Sequence, residues 1–404
     1  MKRESFPALT IIVLIFGVAA LFQSTMQPQK TNGCLWDYDT LAAEAKGLPG
    51  ITEIITGRFD RFPPLYYQMR LDRVSEQVLS SSDDLELYDN AGVACDRLKR
   101  SDEAIEWMAK KRVVLDRLIE QGQDVSEHEY RYLANLGTFH VHRWLINGAD
   151  RSDISDVDTA RQFIGDAIRR NPNAHFGREK YQLLAIEWIR SREARTHNDY
   201  LSIDYSIDSI AEIQGLNTEL IEQLLARGTN DEAIKGYSGL ITLGAAWESI
   251  DIYHALADSL GHRGDNVLAK LCMMRVKELA RNGHKSLDPF TDSSAVEQSF
   301  PASRGSVSTS YIKKIESTYY PKARAEANLW IELRNEYITA KLLNGDHPDT
   351  NPEFWNDWKE TTSPPRYPLD IRRKLLTKPA LVTIVILSGM LLLFILRKQK
   401  TQTT

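Results

Sequence analysis

The sequence predicts an all-helical domain set between two hydrophobic ends. Three observations carry that expectation. Apolar residues recur at helical spacing from Leu35 to Asn282, no run alternates apolar and polar residues between hairpin turns, and each end holds an uncharged apolar stretch. With 42% hydrophobic residues in 404, the chain has enough apolar side chain to fill a large core.

The first element is Phe6–Phe22, 17 residues without a charge, or about 25 Å as a helix. It reads as a retained signal anchor over residues 1–22. The alternative is a cleaved signal peptide, with Lys2 and Arg3 as its charged start and Val18 and Ala20 before the cut. Either one exports the domain behind it. The last element, Pro379–Leu396, has 18 uncharged residues and reads as a transmembrane helix, with a basic tail at 397–404. Lys2 and Arg3 keep the N-terminus inside; Arg366, Arg372, Arg373, Lys374 and Lys378 before the second run argue the opposite way. Because the first span usually sets orientation, both termini are expected in the cytoplasm and the domain on the extracytoplasmic, periplasmic side of an integral membrane protein.

Residues 23–50 hold a polar tether and a first helix through Leu41, Ala45 and Leu48, ended by Pro49-Gly50. Residues 51–282 form the main domain. Ile51–Arg58 is a short helix; Pro64 starts the next, Leu65–Leu79, with Met69, Val74 and Val78 on one face. Ser80 to Asp83 end it and are expected to cap its successor. Helices are then expected at Leu85–Leu98, Ser101–Glu120, Glu127–Ile146, Val157–Arg170 and Phe176–Thr196. Further ones are expected at Ile203–Ile213, Thr218–Arg227, Asp231–Thr242, Ser249–Gly261 and Asn266–Asn282. Their short connections favour antiparallel neighbours. Residues 283–310 read as a linker, and 311–343 as a helix with Ala325, Leu329, Leu333, Tyr337 and Ala340 as its stripe. The segment 344–378 is rich in proline. Trp355 and Trp358 there suit either a lipid interface or a loop packed on the preceding helix.

Charge narrows the partners. Of 50 basic and 55 acidic residues, Lys2, Arg3, Glu4, Arg397, Lys398 and Lys400 lie at the ends, which leaves 45 basic and 54 acidic, a net −9, in the middle. A field of that sign repels phosphate backbones, so nucleic acid is excluded as a partner. Cys34, Cys95 and Cys272 form no CxxC pair and no metal spacing.

Within residues 51–282, Tyr88, Gly92, Cys95, Ala104 and Met108 stand at the spacing of a tetratricopeptide repeat. So do Tyr253, Ala257, Leu260, Gly264, Ala269 and Met273. Ala160, Ile164, Ala167 and Pro172 match a second helix whose first would hold Leu133 and Gly137; Ala233, Tyr237 and Leu240 match one more. The chain thus resembles a diverged tetratricopeptide-repeat protein, and its stretch from Cys34 through Ile55-Thr56-Gly57-Arg58-Phe59 is similar to uncharacterised exported bacterial repeat proteins. The resemblance implies a solenoid of helix pairs, each pair covering the apolar face of the last. Two features depart from it. Lys111 stands where the family has alanine, and the intervals are irregular, Ala104 to Ala160 being 56 residues and Ala233 to Ala269 being 36. A generic helical bundle is the alternative.

Peptide-binding members of that family line their groove from the first helix of each pair. The matching positions here are Glu86, Asp89, Val93 and Asp96, and Asp251, His254 and Asp258. The resemblance therefore implies an acidic groove that takes other proteins through basic or mixed segments. The alternative is a plain solvated helix face.

Signals of chemistry are weak. Gly236-Tyr237-Ser238-Gly239 ends in Leu240 where a nucleophile elbow needs glycine, and it lies in a helix. Ser310-Tyr311-Ile312-Lys313 lacks the companion motifs of its enzyme class. His140 and His142, two apart on a helix, point to different sides, and Glu127, His128 and Glu129 suit a helix start. No cofactor, metal or catalytic residue is expected. The expected function is a membrane-anchored interaction scaffold; a non-catalytic subunit of a membrane complex and an envelope enzyme without a motif are its alternatives.

Overall fold

In the computed structural model the described residues are Asp37, Asp39, 47–172, 177–191, 229–244, 246–288, 307–366 and 368. Every regular element among them is helical. No helix there is long and apolar enough to cross a membrane. The runs Phe6–Phe22 and Pro379–Leu396, the tail 397–404, Cys34, and the helices expected at 203–213 and 218–227 lie outside the described residues.

The short helix α1 spans Ile51–Thr56, and α2 spans Pro64–Ser80 with Pro64 at its first turn. Next come α3 (Leu85–Arg97), α4 (Ser101–Glu120), α5 (Ser126–Ile146), α6 (Ser155–Arg170) and α7 (Arg178–Ser191). They are followed by α8 (Asn230–Thr242), α9 (Ile250–Arg263) and α10 (Asn266–Arg281). The caps explain several boundaries. Asp84, not the preceding Ser-Ser-Ser-Asp, caps α3 by accepting from the Glu86 N–H; Thr229 and Glu232 form a reciprocal capping box on α8; Ser249 accepts from the Ile252 N–H at the start of α9. Gly264 ends α9 at φ +95°, a conformation that suits glycine.

From α2 to α7, and again from α8 to α10, consecutive helices pack side by side; α7 also packs on α8, and α3 touches α5. The contacts are small against large. A Cβ on Gly92 would lie 2.9 Å from the Met108 methyl, and one on Gly137 would lie 2.8 Å from Ile164 Cγ1. Ala104, Met108, Cys95, Ala160, Ala167, Tyr253 and Ala257 are all fully buried, and Tyr88 and Ala269 nearly so; Pro172 stands at an exposed turn just past α6. The row curves, since Arg97 at the end of α3 donates to the Leu243 carbonyl beyond α8 at 2.5 Å.

A long continuous helix joins the two ends of this row. It begins as α11 (Thr309–Lys314), passes through a π turn at Ile315–Tyr319 and continues as α12 (Tyr320–Leu343). The π turn packs on α10, while α12 packs on α1 and α2; α1 touches α8 and α10 as well. Tyr253 on α9 donates to the Ile54 carbonyl at 3.1 Å, and Ile54, Ile55 and Phe59 lie in the core shared by α5 to α10. The stripe expected on α12 is corrected. Its buried face is Tyr320, Ala323, Ala327, Trp330, Ile338 and Leu342, while Ala325, Leu329 and Ala340 face out. The helix packs through a tryptophan and an offset set of small residues, so hydrophobicity alone misplaced the seam.

Candidate functional site

The site is built around the turn at residues 55–59. Gly57 takes φ +81° to close α1, and a Cβ there would stand 2.9 Å from Arg324 Nη1. That guanidinium donates to the Thr56 carbonyl and pairs with Glu278 at 2.9 Å. The glycine is therefore required by its conformation, and the Arg324 guanidinium uses the space that a Cβ would take. The turn delivers Arg58 beneath the residues just past α12.

Those residues run back along the long helix as a strap. Tyr337 donates to the Phe354 carbonyl at 2.5 Å, Trp330 Nε1 to Glu360 Oε2 at 2.8 Å, Tyr319 to the Arg366 carbonyl at 2.5 Å and Tyr311 to the Pro368 carbonyl at 2.7 Å. Arg58 adds Nη2 bonds to Glu360 at 3.0 Å and to the Thr362 carbonyl at 2.6 Å, and an Nη1 bond to the Thr362 hydroxyl. Strap and helix are antiparallel, because 311, 319, 330 and 337 meet 368, 366, 360 and 354 in turn.

Aromatic rings surround the cations. The Arg58 guanidinium lies 4.8 Å from the Trp330 ring; that of Arg334 lies 5.2, 4.1 and 5.4 Å from Trp330, Trp355 and Trp358 and pairs with Asp60 at 2.5 Å. Trp355 and Trp358 are thus packed on α12, as the loop alternative expected. Beside them opens a cleft of ≈ 610 Å³ lined by Glu53, Arg58, Asp60, Trp330, Arg334 and strap residues Glu360 to Pro364, among others. Burial and a Tyr311 neighbour push the Tyr319 hydroxyl up to about 12, so it stays a donor at neutral pH.

The expected acidic groove is corrected. Asp89 is buried on α3, where both oxygens accept from Lys111 Nζ at 2.7 Å and one accepts from Asn135 at 3.1 Å. Burial pushes the Asp89 carboxyl up and the Lys111 ammonium down. Asp96 is buried and meets His142 Nδ1 at 2.9 Å. Asp251 is buried under the chain past α10, accepting from Ser286 Oγ at 2.6 Å and the Leu287 N–H at 2.9 Å. His254 is only 3% exposed. Glu86 is exposed with Arg131 at 3.4 Å, and Asp258, half-buried, has His262 at 3.9 Å. The face is closed because α5 and the segment after α10 lie over it. The chemistry-bearing histidines are spread likewise: His140 pairs with Asp156 on α6, and His142 with Asp96 on α3. Cys95 and Cys272 are buried free thiols, the former pushed up to about 12 by burial.

Sequence reasoning missed Arg58, Trp330, Arg334 and Glu360. One signal pointed there: an arginine inside the apolar 54–59 run. No protein-family model, no curated protein and no solved structure matches the chain.

Proposed function

We propose that this protein is a membrane-held scaffold for other proteins, built as a diverged array of tetratricopeptide-like helix pairs. The observation that carries this is the small-against-large stacking at Gly92 on Met108 and Gly137 on Ile164, one pair after the next. Such stacking supports a rigid surface of the solenoid kind, here curved and closed by the long helix. Leu79, Val113 and Leu343, exposed at 87%, 70% and 73%, give that surface apolar contacts. The runs Phe6–Phe22 and Pro379–Leu396 suit spans in one bilayer, with both termini cytoplasmic and the array outside. Two anchors hold the array near membrane partners and raise their effective concentration. A basic partner segment loses its support, because Asp89, Asp96 and Asp251 have internal partners.

Photo-crosslinking in the native membrane tests the reading, with probes at Leu79, Val113 and Leu343 and in the 379–396 run, and a reporter fused after Thr404. Adducts to one protein from the array positions are expected. Adducts from the 379–396 run alone would replace the scaffold with a subunit that assembles through its spans.

A further inference from the structure

The strap has two unequal halves. The inner half is built in: His347 and Phe354 are 2% and 0% exposed, and Asp349 is tied to Arg70 and Arg73. The outer half is less buried: Lys359, Glu360, Thr361, Ser363, Pro364 and Arg366 are exposed, Thr362 and Pro365 are half-buried, and Pro368 is buried where its carbonyl is anchored. What holds it is a line of donors: Arg58, Trp330, Trp358, Tyr319 and Tyr311 reach its carbonyls, the Glu360 carboxylate and the Thr362 hydroxyl.

The line fits a chain that is extended on either side of a bend at Thr362. From Tyr311 to Trp330 the helix rises about 28 Å, and from Glu360 to Pro368 an extended chain covers about 25 Å. Pro364, Pro365 and Pro368 have no N–H to satisfy, so the segment offers carbonyls to a track that supplies donors. Prolines also hold the chain extended before it docks. At its head, Glu360 takes Arg58 and Trp330 on one oxygen and Trp358 on the other. The resident segment thus carries an acidic side chain, a hydroxyl residue two positions on and then prolines.

We propose that the track formed by Arg58, Trp330, Tyr319 and Tyr311 is a binding site for an extended partner peptide with an acidic residue, a hydroxyl residue two on and prolines after it, and that Glu360–Arg366 together with Pro368 is its resident occupant. The proposal rests on the scaffold reading and names the kind of segment the scaffold takes. A tethered occupant competes at an effective concentration of order millimolar, so the site is masked until the outer strap lifts.

The test uses the full-length chain in detergent and a fluorescein-labelled synthetic peptide of the sequence Lys359–Pro368. Glu360→Ala with Thr362→Val in the chain loosens the resident segment and leaves the donors of the track intact. This variant is expected to bind the peptide roughly ten-fold or more tightly than the native chain. Adding Tyr319→Phe should weaken that binding several-fold, and a peptide carrying Glu360→Ala should bind roughly ten-fold more weakly. If the double variant melts early, Pro364→Gly with Pro365→Gly loosens the strap without touching a donor. Equal binding, or none, by native and loosened chains of unchanged helicity and melting temperature overturns the track. Membrane crosslinks that still land on Leu79, Val113 or Leu343 would then leave the scaffold standing; their loss would remove it separately.

Discussion

Arg70 on α2 grips Asp349 with both arms of its guanidinium: Nε reaches Oδ2 at 2.7 Å and Nη2 reaches Oδ1 at 2.6 Å. The same side chain, 0% exposed, also holds Asp37 at 2.9 Å and Asp39 at 2.8 Å. Tyr66 and Arg73 complete the cluster. One buried cation thus fastens the segment entering the domain and the segment leaving α12 to the same helix. Bidentate geometry of this kind is strong where it is shielded from water.

The first prediction comes from that knot. Arg70→Met leaves three carboxylates without their main cation and should lower stability by roughly 3–5 kcal/mol, since breaking a buried ion pair strands its partners. Denaturant unfolding of the variant measures it. Acid acts on the same knot. Burial alone would raise the Asp349 carboxyl, but hydrogen bonds and charge from Arg70 lower it from 3.8 to about 2. A folded value below the unfolded one gives stability that is present above about pH 4 and is lost as pH falls toward 2, about 2 kcal/mol in all. Asp349→Asn should flatten the native profile in that window. An unchanged acid slope would refute the assignment.

Lys111 and Asp89 give the second prediction. Both are buried and they touch each other at 2.7 Å. Lys111→Met alone should destabilise by roughly 3–5 kcal/mol, because it leaves Asp89 charged in the core. Asp89→Leu with Lys111→Met should recover most of that loss, and the recovery stays partial because Asn135 loses an acceptor. A double variant no more stable than Lys111→Met would mean the pair is not the unit.

This pair also shows how far the sequence could be read. Helix positions were legible because apolar spacing and Pro64 mark periods and a start locally, whereas the caps at Thr229 and Gly264 went unread, so α8 and α9 were expected at Asp231–Thr242 and Ser249–Gly261 rather than Asn230–Thr242 and Ile250–Arg263. The direction of Asp89 was not, because a carboxylate at a groove position looks solvated until its counter-charge is found. Lys111, standing where a tetratricopeptide repeat would have alanine, was that counter-charge, 22 residues on. The strap site was less legible still. Arg58 and Glu360 lie 302 residues apart. No local pattern brings them together; the closure of the row by the long helix does.

The third prediction compares glycines. A Cβ on Gly92 meets the flexible end of Met108 and the edge of Phe139 at 2.9 and 3.1 Å. One on Gly137 meets two Ile164 carbons at 2.8 and 2.9 Å and the Ile164 backbone nitrogen at 3.1 Å. Methionine can move aside and a helix backbone cannot. Gly137→Ala should therefore cost roughly 1–3 kcal/mol, and Gly92→Ala less, offset by up to about 1 kcal/mol of helix propensity. Adding Ile164→Val should rescue part of the Gly137→Ala loss. Thermal melts of the three variants rank them, and a Gly92→Ala loss exceeding that of Gly137→Ala would reverse the argument.

The fourth prediction concerns two buried groups one turn apart on α9. Burial raises the Asp251 carboxyl to about 6, against the pull of the Leu287 N–H and the Ser286 hydroxyl. Its folded value lies above its unfolded one, so the stability it contributes is full below about pH 4 and lost as pH rises through 6. Burial lowers the His254 imidazole to about 4. Its folded value lies below its unfolded one, so its contribution is present above about pH 6.5 and lost as pH falls through 4. Each swing is about 3 kcal/mol and the two have opposite sign, so the native chain should show little slope between pH 4 and 6.5 from this helix. Asp251→Asn removes one arm and should leave stability falling steeply with acid; His254→Leu removes the other and should leave it rising. Melting temperatures at pH 4.5 and 7.5 separate the cases. Parallel profiles for both variants would show that neither group changes its proton on unfolding in that range.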